Sequence, residues 1–409
     1  MRIYKAEDLD SFVAETDRLG GVGSPEGKAL WANFSYQPTV AIDQTLDPYS
    51  PEYFAQQIAL YKELSGREMD AVANEMTSID VEQHVGAPNP YGVFDPSTFV
   101  VHYLRLGTAI RRAGLPLLPK LLDMGAGWGL SSEFFATLGC NVTAVDINPS
   151  FVDLIRRRQT IHGNKVKALA GAFDDFEPPE AYDAVFFYEC LHHAAKPWEL
   201  LARAVQWLAP GGKIIFAGEP VNEFWWRHWG MRLDAQSIYC IRKFGWFESG
   251  WSRSFIVDCL RRAGTTVDYY DDPDPEVGSV CVATKVSVNQ FLPAAQLHRA
   301  FEMTGWKLDG EYLTAFGEAS LVISRQPDAA FVHLDIWNFR PKQLHLVVID
   351  DDGVVYVDDL PTGKSIIRCK LDRAVTNLHF VADTWVPAVE TGNGDVRSLS
   401  FHIGGATLV

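Results

Sequence analysis

No stretch of this 409-residue chain approaches the ~20 consecutive apolar residues that a membrane helix needs. The N-terminus, Met1-Arg2-Ile3-Tyr4-Lys5-Ala6-Glu7-Asp8, lacks the apolar core of a signal peptide, so the expected location is cytoplasmic. Cysteine is sparse: six residues, at 140, 190, 240, 259, 281 and 369, lie far apart with no CxxC pair. That pattern fits reduced thiols and leaves neither a disulfide framework nor a zinc site. No His/Asp/Glu spacing marks another metal site, and no metal is expected. Positive charge is also short, with 36 Lys and Arg against 52 Asp and Glu and a net charge of −16. Nucleic-acid affinity comes largely from neutralising phosphates, so no nucleic-acid partner is expected. What is abundant is ordinary globular material, 47% hydrophobic and 22% charged, in a chain long enough for two or three domains.

Periodicity divides the chain in three. Residues 1–118 are expected to be mostly helical, with helices near 53–64 and 99–113 and a turn-rich stretch at 86–92. From 119 to 288 strands (120–124, 142–147, 166–170, 183–188, 213–218) alternate with helix patterns, one opening at Ser150 as N-cap. Such βαβ repetition predicts a parallel sheet with right-handed crossovers. A helix at 252–263 and two close strands at 265–270 and 278–285 end this region. Residues 289–409 carry alternating runs at 320–324, 331–337, 343–349, 353–358, 365–371 and 377–383. Asp352-Gly353 and Pro361-Thr362-Gly363 punctuate them as hairpins require, which predicts a small β-sandwich.

The most informative stretch is Lys120-Leu121-Leu122-Asp123-Met124-Gly125-Ala126-Gly127-Trp128-Gly129-Leu130. It reads as a buried strand ending in an acid, followed by alternate glycines that let backbone pass close under a ligand. The spacing is G-x-G-x-G, whereas a dinucleotide fingerprint is G-x-G-x-x-G. A second acid, Asp146, ends the next strand, placed to hold a ribose by two hydroxyls. These residues resemble the class I S-adenosylmethionine-dependent methyltransferases, as do Tyr188-Glu189-Cys190-Leu191-His192-His193 and Leu208-Ala209-Pro210-Gly211-Gly212-Lys213. The resemblance covers roughly 119–285. It implies a Rossmann-like seven-stranded methyltransferase sheet of the α/β class, with S-adenosyl-L-methionine as cofactor. The residues it places on the cofactor are Asp123, Gly125, Ala126, Gly127, Gly129, Asp146, Ile147, Ala172, Phe173 and Tyr188. Where many relatives carry an adenine-binding acid this chain has Ala172, leaving Phe173 to stack and Asp174 for the polar role.

Methyl transfer to a hydroxyl needs alignment of the nucleophile and removal of its proton. Glu189, His192 and His193 follow strand four, where open α/β sheets present ligands, and histidine titrates near neutrality. They are the candidate catalytic residues; a Leu-His-His segment that only shapes the cofactor pocket is the other reading. The aromatic insertion at 222–251 is expected to wall the acceptor site, although each of its tryptophans taken singly suits a packed core better. Glu219 and Glu248 are further polar candidates there. The tail from Thr384 to Ile403, with Asp395-Val396-Arg397-Ser398-Leu399, resembles proteins of bacterial surface-polysaccharide biosynthesis. That implies a carbohydrate acceptor: methyl transfer to a sugar hydroxyl of a glycan or glycan precursor. The alternatives are a small-molecule O-methyltransferase acting on a lipid, polyketide or aromatic metabolite, and a non-catalytic cofactor-binding module. A homo-oligomer, or association with other glycan-biosynthesis proteins, is an open expectation.

Overall fold

The structure is a computed structural model that describes residues 2–21, 23–70, 72–92, 95–163, 165–324 and 329–409. It divides into two compact units. One comprises Met1–Leu200, Ile214–Val257 and Tyr269–Val282; the other comprises Leu201–Lys213, Asp258–Asp268 and Ala283–Val409. Among the described residues no helix is long and apolar enough to cross a membrane.

The central sheet has seven strands: β1 (Lys120–Met124), β2 (Asn141–Asp146), β3 (Val166–Ala170), β4 (Tyr182–Tyr188), β5 (Leu208–Ala217), β6 (Thr265–Asp271) and β7 (Ser279–Lys285). Their order is β3-β2-β1-β4-β5-β7-β6. β1 pairs in parallel with β2 and β4, and β2 with β3. The loop from β6 to β7 is too short for a crossover, so these neighbours form an antiparallel hairpin. Reversal of the order about β1 opens a crevice at the carboxyl ends of β1 and β4, the switch point where such sheets bind ligands. The sequence-predicted strands fall on these elements, with β5 starting earlier, at Leu208. The helix after β2 is capped by Asn148 rather than Ser150. Pro149 needs no N–H donor at the first helical position, and the Asn148 side chain accepts from the Ser150 N–H.

The N-terminal region supplies helices Leu9–Arg18, Pro25–Ala32, Pro51–Ser65 and Pro96–Ala113, plus a short parallel pair, Arg2–Tyr4 with Phe34–Tyr36. It packs on the insertion after β5. Tyr53 donates to the Trp229 carbonyl at 2.6 Å, the Trp229 indole donates to the Pro48 carbonyl at 2.8 Å, and Gln57 accepts from the Met231 N–H at 3.0 Å. Arg158, only 1% exposed, forks onto Glu133 and also donates to the carbonyls of His84 and Ala87. Charge-assisted bonds of this kind contribute about 1.5–3 kcal/mol each, and here they tie the end of the short helix Val81–Val85 and the residues after it to the sheet's first two helices.

In the second unit one antiparallel sheet is built from β8 (Phe291–Pro293), β9 (Glu302–Asp309), β10 (Tyr312–Ser324), β11 (Phe331–Asn338), β12 (Leu344–Asp350), β13 (Gly353–Leu360), β14 (Gly363–Lys370), β15 (Val375–Ala382) and β16 (His402–Leu408). The order β13-β12-β15-β10-β16-β11-β14 is continuous, with β8 on β16 and β9 on β10. The two faces of the expected sandwich are thus one sheet rolled on itself. Asp352-Gly353 does join a hairpin, β12 with β13. Pro361-Thr362 does not: it joins β13 to β14, which stand at opposite ends of the order. Flat, those ends would lie about 29 Å apart at ~4.8 Å per strand, a gap two residues cannot span. The sheet therefore closes there, barrel-like, over alternating inward residues such as Val332, Leu334 and Ile336 of β11. Leu334→Ala is expected to cost about 2–5 kcal/mol, read as a lower urea midpoint, because that side chain is fully buried.

Candidate active site

β1 delivers the chain into a loop in which Gly125, Gly127 and Gly129 all take positive φ, at 67°, 49° and 85°. A Cβ at Gly125 would lie 2.8 Å from the Cys190 sulfur, and one at Gly129 would lie 2.6 Å from Ile155 Cγ1. Only glycine meets both the backbone angle and the space. The Gly127 N–H donates to Asp146 Oδ2 at 2.7 Å, and the Asn148 N–H donates to Asp146 Oδ1 at 2.8 Å. Two backbone donors thus orient a buried carboxylate whose remaining lone pairs face the cavity. Burial pushes its carboxyl up to about 6.

The cavity over this loop has a volume of about 390 Å³. Of the expected cofactor residues it is lined by Gly125, Gly127, Asp146, Ile147, Ala172 and Phe173; of the expected catalytic residues, by Glu189 and His193. Ala126, Gly129 and Tyr188 stand outside that lining. Ala126 donates to the Val145 carbonyl, Gly129 opens the following helix, and the Tyr188 hydroxyl pairs with His102 Nδ1 at 2.6 Å. Asp123 also lies outside it. Fully buried beneath the loop, it accepts the hydroxyls of Ser131 (2.7 Å) and Ser132 (2.5 Å) on one oxygen, while its other oxygen has no partner among the described residues. The direct contact expected of Asp123 gives way to a role in holding the first turn of the helix.

Sequence reasoning missed Glu75 and Thr77, which reach the cavity from the N-terminal region, and Trp128, Phe151 and Cys190. Nothing in the local pattern marks Glu75, because its proximity is purely tertiary. Thr77 is held from two sides: its carbonyl accepts from the Asn148 amide at 2.6 Å and its hydroxyl accepts from the Trp246 indole at 3.2 Å. Trp246 is the one cavity-lining tryptophan of the insertion. Trp229 and Trp251 are core, fully packed as a single tryptophan was expected to be.

The loop after β4 is organised by Glu219. Its carboxylate accepts the backbone N–H groups of Cys190, Leu191 and His192, and also the His192 ring nitrogen Nδ1 at 2.9 Å. On the other side His192 Nε2 faces Glu248 at 3.4 Å. A carboxylate at each nitrogen favours the imidazolium form of His192. Burial works against that charge, but the two glutamates outweigh it and raise the ring to about 10. A histidine so held, and outside the cavity lining, is no general base; that expectation is corrected here. Glu219 and Glu248 likewise bind His192 rather than a ligand. The donor atoms of His192, His193 and Glu248 converge within 4.8 Å. Both His192 nitrogens face carboxylates, Glu219 and Glu248, and His193 faces Glu75, so the side chains also form a charge network.

His193 is different. It lines the cavity, with Nδ1 3.4 Å from Glu75, and although burial opposes its charge, Glu75 raises its pKa above the ordinary value. Glu189, at a left-handed φ of 51°, pairs with Arg105 of helix Pro96–Ala113. A non-glycine residue in that conformation stores strain at the cavity wall. Gly218 makes room for it, since a Cβ there would lie 2.5 Å from Glu189 Cγ. Among the described residues the lining holds four carboxylates (Glu75, Asp146, Asp174, Glu189) and neither lysine nor arginine. A pyrophosphate-bearing dinucleotide would be repelled; a ribosyl sulfonium carrying an ammonium group is matched.

Sheet order, acid-held glycine loop and acidic cavity together define a nucleoside-cofactor site of the methyltransferase type. Residues 122–216 match the family described as "Methyltransferase domain", and the cofactor is S-adenosylmethionine. The chain is 34% identical over 100 residues to a ubiquinone biosynthesis O-methyltransferase of Xanthomonas euvesicatoria pv. vesicatoria, covering 24% of this chain and 42% of that protein. It is 28% identical over 101 residues to the mitochondrial ubiquinone biosynthesis O-methyltransferase of Schizosaccharomyces pombe, covering 24% and 37%. The chain thus spans about two fifths of the length of these curated relatives. Among solved structures, a Burkholderia thailandensis 1,6-didemethyltoxoflavin-N1-methyltransferase with bound S-adenosylhomocysteine is 23% identical. That match covers 46% of this chain and 79% of that one, with a TM-score of 0.35.

Two outcomes follow from this geometry. Asp146→Ala is expected to weaken S-adenosylhomocysteine binding about 10- to 100-fold by calorimetry, the worth of losing bonds to a charged acceptor. The His192 pKa, raised from an ordinary 6.5 to about 10, makes its contribution complete below pH 6.5 and lost as pH climbs toward 10. Glu219→Gln should flatten that decline in urea unfolding measured across pH and lower neutral-pH stability by about 3–5 kcal/mol.

Proposed function

We propose that the chain is an S-adenosylmethionine-dependent O-methyltransferase acting on a hydroxyl of a small organic molecule. The observation that carries this reading is the His193–Glu75 pair, a histidine lining the cavity with a carboxylate 3.4 Å from its Nδ1 in the same lining. When bound, the cofactor supplies a methyl group already activated on a sulfonium. Asp146 would hold the ribose hydroxyls, Ile147 and Phe173 would bind the adenine, and Asp174 would take the polar role that Ala172 cannot. His193 accepts the acceptor hydroxyl's proton and Glu75 balances the resulting imidazolium. Trp246 gives the acceptor a flat face, and Glu189 with Arg105 fixes the wall beside it.

The printed names of the relatives, O-methyltransferases of ubiquinone biosynthesis, favour a small-molecule acceptor over the glycan expected from the 384–403 tail. Those relatives match only about a quarter of the chain, so their names bear on the class of acceptor and not on its identity. Transfer of labelled methyl onto cell extracts tests the class directly: label in organic-soluble metabolites supports the reading, whereas label in glycan returns the acceptor to a sugar. Cofactor binding without transfer would leave a non-catalytic module.

The base must be unprotonated to act, so turnover should rise with pH through an ionisation above 6.5. His193→Asn should remove that limb and lower kcat about 100- to 10,000-fold. Glu75→Gln, which takes away the charge that raises the ring, should move the limb to lower pH. A limb unchanged in both variants would sink His193 as base.

A further inference from the structure

The second unit holds a cavity of its own, of about 440 Å³, lined by Tyr312, Phe339, Trp385, His402, Arg397 and Asp395 among others. Its aromatic wall is braced from behind. The Phe339 ring stacks on Trp337 (5.6 Å between centroids, 22° between planes) and meets Tyr312 and His402 edge-on at 5.6 and 4.7 Å. Phe339 is nevertheless 45% exposed, a flat apolar face presented to solvent. The opposite wall is the 384–401 loop, which is pinned at three points. Trp385 and Leu399 exchange backbone hydrogen bonds at 2.7 and 2.8 Å, Ala388 donates to the Asp395 carbonyl, and Glu390 pairs with Arg340 at 3.1 Å.

The polar groups set the ligand's charge. Arg397 bridges Asp395 (2.8 Å) and Asp309 (2.5 Å), so two carboxylates surround one guanidinium. His402, tied through Nδ1 to the Thr314 hydroxyl at 2.8 Å, is driven down to about 4 by burial and adds no positive charge. The lining therefore carries a net negative charge, which disfavours phosphates and sugar acids. It still offers carboxylate acceptors and a guanidinium donor at one end and aromatic faces at the other. That pairing suits a ring with hydroxyls around its edge and C–H bonds on its face. We infer that this cavity is a binding site for a neutral sugar ring, built by the Tyr312–Phe339 aromatic wall and the Asp309–Arg397–Asp395 cluster and independent of the methyl-transfer chemistry. It also absorbs the Asp395-Val396-Arg397-Ser398-Leu399 segment, which the cofactor site leaves unused.

Saturation-transfer NMR on the full chain, with methyl glucoside, galactoside and mannoside as probes, tests it. At least one glycoside should receive saturation at its ring C–H protons. Its affinity should fall about tenfold in Phe339→Ala and again in Arg397→Gln, the scale of one aromatic contact or one charged hydrogen bond. No transfer to any glycoside overturns the proposal, as does binding that survives both substitutions. Glucuronate binding more tightly than methyl glucoside would overturn it too. S-adenosylhomocysteine titration of the same samples reports the other cavity, and thermal unfolding followed by near-ultraviolet circular dichroism checks that the substituted unit is folded, so either assignment can fail without the other.

Discussion

The Glu219 carboxylate is the constraint on which the cofactor cavity depends. One side chain collects three consecutive backbone N–H groups and a ring nitrogen from the segment after β4, and Glu248 closes on the same ring from the other face. Burying two carboxylates is costly unless their charge and lone pairs are met, and the His192 imidazolium meets both. Because that loop cannot shift, the residues flanking His192 are committed. Cys190 seats against Gly125, Glu189 is held in a strained left-handed conformation toward Arg105, and His193 is turned into the cavity. Of two adjacent histidines, one is consumed as structure so that the other has a fixed position.

Around that fixed loop the chain assembles a site from pieces remote in sequence. The sheet supplies the glycine loop and Asp146 at the switch point, the N-terminal region supplies Glu75 and Thr77, and the insertion after β5 supplies Trp246. Hydrogen bonds from Asn148 and Trp246 to Thr77 lock the three contributions together. The result is a cavity whose lining is rich in carboxylates.

The C-terminal unit solves a separate problem, the exposed edges of a long antiparallel sheet. Rolling β13 round to β14 through the short Pro361-Thr362 connection shelters those edges and packs alternating residues on one core. The 384–401 loop then lies against this rolled sheet and creates a second cavity of contrasting chemistry, aromatic on one wall and ion-paired on the other.

Much of the fold was legible from pattern alone. Strand–helix alternation between 120 and 218 and the two close strands at 265–270 and 278–285 predict a mostly parallel sheet ending in a hairpin, because buried parallel strands and tight turns leave local signatures, whereas the strand order came from the structure. The glycine spacing and Asp146 are equally local, since the backbone angle and strand-end position a ligand needs are written in adjacent residues. What only tertiary structure decided is the charge state and direction of side chains. Asp123 and Asp146 look alike in sequence, yet one holds serines under the loop and the other faces the cavity. His192 and His193 are neighbours, yet one is a buried imidazolium and the other a candidate base. The difference lies in Glu219, Glu248 and Glu75, which stand 27, 56 and 118 residues from the histidines they bind. Electrostatic environments depend on distance in space, and no local pattern encodes that distance.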